Sequence, residues 1–228
     1  MIINRQYDYK ILEKVTLPTG TRYYVCPETN LKLPSVTTIL DKVGGEKKEL
    51  LEWIKRVGVK ESERIKKEAL GLGTLMHTHL ENYIMGIPRP GGNNLVRIQA
   101  EKMSDQIINN GLINVDEVYG CEAMLYVPGL YAGSCDGIAR YKGKLAIIDF
   151  KSAKKIRKKE MIDSYFEQVC AYGLAHDHLF GTNINTAVIF MVDRDYNFKE
   201  FVIEGDEFNK KTEKWLNSVD TYYSMIKE

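Results

Sequence analysis

None of the four cysteines of this 228-residue chain, Cys26, Cys121, Cys135 and Cys170, sits in a C-x-x-C pair. That excludes a zinc-ribbon or cysteine-ligated iron–sulfur framework and suits small buried thiols in a reducing compartment. An excess of one charge is also missing: 32 lysines and arginines stand against 31 aspartates and glutamates, a net charge of +1. A tail-driven polycation is therefore excluded, although acids clustered around a metal could be balanced by basic residues elsewhere. Long apolar runs are absent too, the longest being Ala187 to Val192, far too short to cross a bilayer. Residues 1–8 hold no apolar signal-like stretch, so the expectation is a soluble, cytoplasmic protein with no membrane partner. With no repeat, low-complexity tract or linker, the length predicts one decorated domain over 1–228.

What is present starts with aromatic and β-branched residues around Pro18-Thr19-Gly20 and Pro27-Glu28-Thr29-Asn30, which predict short strands and turns over 7–33. The texture then turns helical. Ser35 is placed to cap a short helix through Leu40, interrupted by Gly44-Gly45, and Leu50, Leu51, Ile54 and Val57 recur at helical spacing. A further helix runs from about Lys60 toward Ile84, with Gly71 and Gly73 weakening it midway. After the loop Pro88-Arg89-Pro90-Gly91-Gly92, a helix from Leu95 to Asn110 stops at Gly111. Strands are expected over 115–127, 130–141 and 144–150, a helix from Lys158 to Phe180, strands near 186–192 and 198–203, and a last helix from Asp206. This order predicts an α/β chain, a mixed sheet flanked by helices, with a helical region over 35–111 and a core over 112–205.

Two apolar-rich segments flank the turn signal Lys142-Gly143-Lys144, so Asp136 on one strand comes to face Asp149-Phe150-Lys151 on the next. Asp149 and Lys151 leave one face of their strand while Phe150 enters the other. Two carboxylates supply hard oxygen ligands that suit magnesium or manganese, and Glu122 on the preceding strand can add a third. A cation held there would polarise a phosphoryl oxygen and activate a water, with Lys151 positioning water and phosphate.

In chain order, G-x-x-D ending at Asp136, D-x-K at Asp149 to Lys151 and Q-x-x-x-Y at Gln168 to Tyr172 resemble the PD-(D/E)XK nuclease superfamily. Gly73-Thr74-Leu75-Met76-His77 is similar to the G-T-x-x-H motif of its RecB-like branch. Ser35-Val36-Thr37-Thr38-Ile39-Leu40, Trp53, residues 73–81 and the chain from Glu122 onward resemble the mitochondrial genome maintenance exonuclease type and its phage relatives. The resemblance covers roughly residues 30–180. It implies a restriction-endonuclease-like core and a Mg2+- or Mn2+-dependent DNA exonuclease acting on DNA ends, chiefly of single strands, in replication, recombination or DNA degradation. It also implies that His77, and more weakly Glu81, reach the metal and that the Phe150 carbonyl is a further ligand. Gln168 and Tyr172 would line the site edge, with Ser35, Thr37 and Tyr172 against the nucleic acid.

The basic run Lys151 to Lys159 leads away from the scissile-phosphate site, which makes Lys154, Lys155 and Lys158 candidates for a backbone track. Lys47, Lys48, Lys55, Arg56, Lys60, Arg64, Lys66 and Lys67 are interleaved with acids and form the weaker candidate. Tyr23, Tyr24 and Trp53 could stack on unpaired bases, with core packing the stronger reading for Trp53. Taken singly, every site residue has an ordinary reading: a solvated D-x-K pair, a helix histidine with a local partner, a cross-strand charge pair at Glu122, core packing for Tyr172. Two rivals stay open, a Cas4-like nuclease without its iron–sulfur cluster, since no cysteine follows Cys170, and a non-catalytic nucleic-acid-binding module of the same fold.

Overall fold

The chain opens with β1 (Ile2–Ile3), followed by a small antiparallel sheet of β2 (Lys14–Thr16), β3 (Arg22–Val25) and β4 (Lys32–Pro34). The computed structural model describes residues 2–45 and 48–226, without the side chains of 48 and 49, so Lys47 and the Lys48 side chain lie outside the described residues. Four helices come next: α1 (Val36–Gly44), α2 (Lys48–Val57), α3 (Val59–Met85) and α4 (Leu95–Asn110). Ser35 caps α1, its hydroxyl oxygen accepting from the Thr38 N–H at 3.0 Å, which satisfies a donor that has no partner inside the helix. Against expectation, α3 runs unbroken through Gly71 and Gly73. A Cβ at 73 would lie 3.1 Å from Ser152 Oγ, so glycine here lets the helix press close to a strand.

The meander is β5 (Val115–Val127), β6 (Tyr131–Tyr141) and β7 (Lys144–Ala153). Lys142 and Gly143 turn between the last two with φ of 47° and 79°, the left-handed pair that a two-residue hairpin needs. Next come α5 (Asp163–Phe180), β8 (Thr186–Asp193), β9 (Phe198–Glu204) and α6 (Asp206–Met225). The six-stranded sheet has the order β1-β5-β6-β7-β8-β9; β1 with β5 and β7 with β8 are parallel, the other pairs antiparallel. A parallel neighbour demands a crossover, and α5 provides it.

Alternation along the strands sets the layers. Ile147, Ile189 and Met191 pack with α1, α5 and α6, whereas Ile148, Phe150, Val188, Phe190 and Val192 face α3 and α4. Phe150 and Phe190 stack in that second core, and burying each ring contributes about 2–3 kcal/mol. This is the mixed sheet flanked by helices that the pattern predicts, with α1 tied to the sheet's core through Val36 and Ile39. Two expectations are corrected. The helix expected from Lys158 begins at Asp163, because Lys159–Met161 form one 3-10 turn and the Asp193 carboxylate accepts the Ile156 N–H at 3.2 Å, tethering the chain to the end of β8. Tyr24 is buried with Leu12 and Leu33 in a third, smaller core and has no face to offer a base.

Candidate metal centre

β6 and β7 stay paired as far as Gly137 and Ile148 and then part, while β7 continues beside β8 to Ala153. The parting leaves the Phe150 N–H without a strand partner, and Asp136 Oδ2 accepts it at 2.7 Å. On the other flank of β6, the pairs Cys121–Gly137 and Ala123–Cys135 bracket Glu122 and Asp136, which places those acids opposite each other. Glu122 sits at φ 49°, a left-handed conformation that costs a non-glycine residue about 1–2 kcal/mol. Cys135 and Ile138, three apart, both pack on the α5 side, so the alternation slips one step at Asp136-Gly137 and turns Asp136 toward α3.

There it meets His77. The His77 Nε2–H donates to the Phe150 carbonyl at 2.9 Å, and Nδ1 lies 3.6 Å from Asp136 Oδ1. Because a carbonyl only accepts, Nε2 keeps its proton and Nδ1 is the atom open to exchange. Burial alone would lower the His77 pKa, but the Asp136 charge and hydrogen bond outweigh it and raise the value to about 9. Asp136, despite its own burial, is held below the usual carboxylate range by His77 and Lys151. Desolvation and the Asp136 charge raise the pKa of Glu122; since Glu122 keeps an exposed surface, the charge is the firmer cause. Ser134 Oγ donates to Glu122 Oε2 at 2.7 Å and fixes its orientation.

Ligand atoms of His77, Glu122 and Asp136 all lie within 4.8 Å of one another. Ligands about 2.1 Å from an octahedral cation are about 3 to 4.2 Å apart, so the group fits a small divalent ion after a slight inward shift. One imidazole and two carboxylates match manganese or magnesium chemistry, the imidazole tilting toward manganese.

Asp149 and Lys151 sit beside this group. Lys151 Nζ lies 2.8 Å from both Asp149 oxygens, but only Oδ1 receives it with hydrogen-bond geometry, leaving the buried Oδ2 with an ion-pair contact alone. Asp149 is 2% exposed; burial pushes its pKa up to about 6 while Lys151 pulls the other way. For Lys151, burial favours the neutral amine, yet Asp149 and Asp136 hold the pKa above its ordinary value, so the ammonium stays charged. Gln168 Oε1 accepts from Nζ at 3.1 Å, Gln168 Nε2 donates to the Tyr172 hydroxyl at 3.4 Å, and the Tyr165 ring centroid lies 4.8 Å from Nζ.

The sequence candidates His77, Glu122, Asp136, Asp149, Phe150, Lys151, Gln168 and Tyr172 therefore converge where the strands part, reached from α3 on one side and α5 on the other. Asp149 and Glu81 stand outside the three-residue ligand group, although Glu81 lines a 480 Å³ cavity with His77 and Glu122. Other candidates do not come to a surface. Ser35 is 2% exposed and its oxygen is committed to the α1 cap; Tyr172 is 4% exposed, its ring so close to Gly133 that a Cβ there would sit 2.7 Å from Cε1. Contact of either with a strand of DNA is corrected to a supporting role. Thr37, Lys154 and Lys158 are exposed, while Lys155 is tied to Asp195 at 2.7 Å. Among the weaker basic candidates, Arg64 is held by Glu61 and Glu68. Tyr165 and Ser134 escaped sequence reasoning; each shares a face with a candidate, Tyr165 three residues before Gln168 on a helix and Ser134 two before Asp136 on a strand.

No family model matches this chain, and no curated protein matches it either. Among solved structures, a protein of Eubacterium rectale provisionally named an exonuclease is similar, with 14% identity and a TM-score of 0.49 over 68% of this chain and 66% of that one. A protein designated SSO0001 shows 15% identity and a TM-score of 0.39 over 80% of this chain and 74% of the other. An alkaline exonuclease from Laribacter hongkongensis shows 15% identity and a TM-score of 0.32 over 68% and 82%. At this level of likeness, the chemistry of the site is carried by its own residues.

Proposed function

We propose that this chain is a metal-dependent deoxyribonuclease of the PD-(D/E)XK, RecB-like type that hydrolyses phosphodiester bonds from a free end of single-stranded DNA. The observation that carries this reading is the meeting of the His77, Glu122 and Asp136 ligand atoms with a half-buried, charged Lys151 paired to the buried Asp149 at the parting of two strands. A structural ion pair needs no second acid cluster beside it, and a surface charge pair would not be buried. A divalent cation there would supply Lewis-acid polarisation of the phosphate and of an attacking water.

The residues supply the rest. His77, Glu122 and Asp136 would hold the cation, with Asp149 Oδ2 as a further oxygen donor beside it; the Phe150 carbonyl, expected as a ligand, instead accepts from His77 Nε2–H on the side of the ring away from Nδ1. Asp136 also fixes the Phe150 peptide, and so couples the ligand group to the strand that carries Lys151. Because Lys151 stays an ammonium, it acts by charge and hydrogen bonding on the phosphate and the water, not as a proton acceptor. Gln168 aims that ammonium, and Tyr172 stands behind Gln168. Lys154 and Lys158, exposed beyond the site, are one of the basic surfaces on which the DNA backbone could lie.

The end requirement is tested by incubating end-labelled linear single-stranded DNA and a covalently closed single-stranded circle with magnesium or manganese. Degradation of the linear strand with an intact circle is expected. Equal cutting of both would refute the need for an end and leave an endonuclease.

A further inference from the structure

Two cavities flank α1. One, of 470 Å³, is lined by Gln168 and Tyr165, two of the groups that touch the Lys151 ammonium; the other, of 670 Å³, holds Arg22, Tyr23 and Lys42. Both are lined by Thr37 and Asp41. Thr37 and Asp41, one turn apart on α1, form the ridge that the two cavities share, so the cavities adjoin across the exposed face of α1 and together make a path leading away from Lys151.

The two stretches differ in chemistry. Near the lysine, Leu40, Val43 and Met161 give apolar walls, with Glu160, Asp163 and Glu167 around them. Asp163 is bonded by Lys211 and Lys214, and Glu167 by Lys214 at 2.8 Å and Ser218 at 3.0 Å. With Leu40, Val43 and Met161 as apolar walls and Asp163 and Glu167 already paired with lysines, that stretch accommodates a flat base whose amino group can donate to the exposed Glu160 or Asp41. Beyond Thr37 the sign changes. Arg22 and Lys42 are exposed and, among the described residues, form no ion pair, unlike Lys142, Lys144, Lys155 and Lys159, which are all paired. Thr37 and Tyr23 place further polar and aromatic surface beside them.

Resting on the nuclease reading, we infer that this groove is the seat of the single strand. The base next to the scissile phosphate occupies the apolar-walled stretch, and the phosphates that follow lie on Arg22 and Lys42. The alternative track is the basic run at Lys154 and Lys158.

The test is fluorescence anisotropy of a labelled single-stranded oligodeoxynucleotide on the full chain in chelator, over a series of salt concentrations, with Arg22→Gln/Lys42→Gln beside Lys154→Gln/Lys158→Gln. Both Arg22 and Lys42 are exposed, so the first variant should fold, which circular dichroism verifies. Its Kd should rise about tenfold, and its salt slope should flatten by about 1.4, two contacts at about 0.7 each on a single strand. Unchanged affinity and slope in that variant, with the shift confined to Lys154→Gln/Lys158→Gln, would overturn the groove. Hydrolysis is read separately on wild-type protein with end-labelled linear single-stranded DNA and manganese. Failure there would sink the nuclease reading, whereas the chelated binding series decides the groove alone.

Discussion

Replacing Lys151 by methionine removes the only cation bonded to Asp149 among the described residues, and that carboxylate is 2% exposed and has one oxygen without a hydrogen bond. Even with the lysine present, burial holds the Asp149 pKa at about 6 against an ordinary 3.8. Ionising this carboxylate therefore costs the fold on the order of a few kcal/mol at neutral pH, part of which the raised Lys151 pKa returns. An acid whose folded pKa lies above its unfolded one destabilises the fold above that pKa, and the penalty fades as pH falls through it. Without Lys151 the charge is uncompensated, so Lys151→Met should destabilise the metal-free protein by about 3–5 kcal/mol near pH 8 and by much less near pH 5. The double variant Asp149→Asn/Lys151→Met carries neither charge and should regain wild-type stability or exceed it by about 1–3 kcal/mol. Urea unfolding in chelator at the two pH values gives the cycle, and both variants should be inactive. A single variant within about 1 kcal/mol of wild type, or a double variant as weakened as the single, would refute the buried-pair reasoning.

The two histidines of α3 should separate cleanly. His77→Ala should weaken manganese binding about 10–100-fold in calorimetric titration. His79→Ala should lower the melting temperature without touching metal affinity, because His79 is buried under Arg89, which donates to its Nδ1. Equal effects on metal affinity would contradict the assignment. Manganese affinity of the wild type should also climb with pH up to about 9, as the proton that Nδ1 shares with Asp136 is displaced. At His176, burial lowers the pKa to about 4, and the neutral ring is fixed by Tyr9 O–H donating to Nε2 and Nδ1–H donating to Thr182 Oγ1, whose own proton goes to Asp177. This contribution is fully present above pH 6.5 and is lost toward pH 4, so His176→Gln should flatten the loss of stability in that window by about 2–3 kcal/mol. Parallel curves would contradict it. Gly133→Ala should cost about 1–3 kcal/mol in denaturant unfolding and reduce turnover, since the new methyl meets the Tyr172 ring behind Gln168. An unchanged midpoint would contradict the close approach.

Strand parity made the Asp149–Lys151 contact legible, because side chains two apart must share a face whatever the partner strands do. The helices α1 and α4 were legible for the same local reason, a serine that caps and a glycine that ends. His77 was reached through motif resemblance, since no local rule brings α3 to a carboxylate on β6. The parting of β6 from β7 was not legible at all: pairing register is settled by the whole sheet, and the Asp136 carboxylate that replaces a ladder bond looks like any other strand acid in sequence. The late start of α5 has a similar cause, the Asp193 carboxylate reaching back to Ile156. The burial of Tyr24 and Tyr172 depends on cores formed by residues about a hundred or forty positions away, which alternation alone does not reveal.

The most direct measurement is the rate of hydrolysis of end-labelled single-stranded DNA against manganese concentration, for wild type, Asp136→Asn and Asp149→Asn with matched circular dichroism. Wild-type activity should saturate with manganese and vanish in chelator, and both variants should fall by at least about a thousandfold while staying folded. Undiminished activity in chelator, or wild-type rates in both variants, would contradict a metal-dependent nuclease built on these carboxylates.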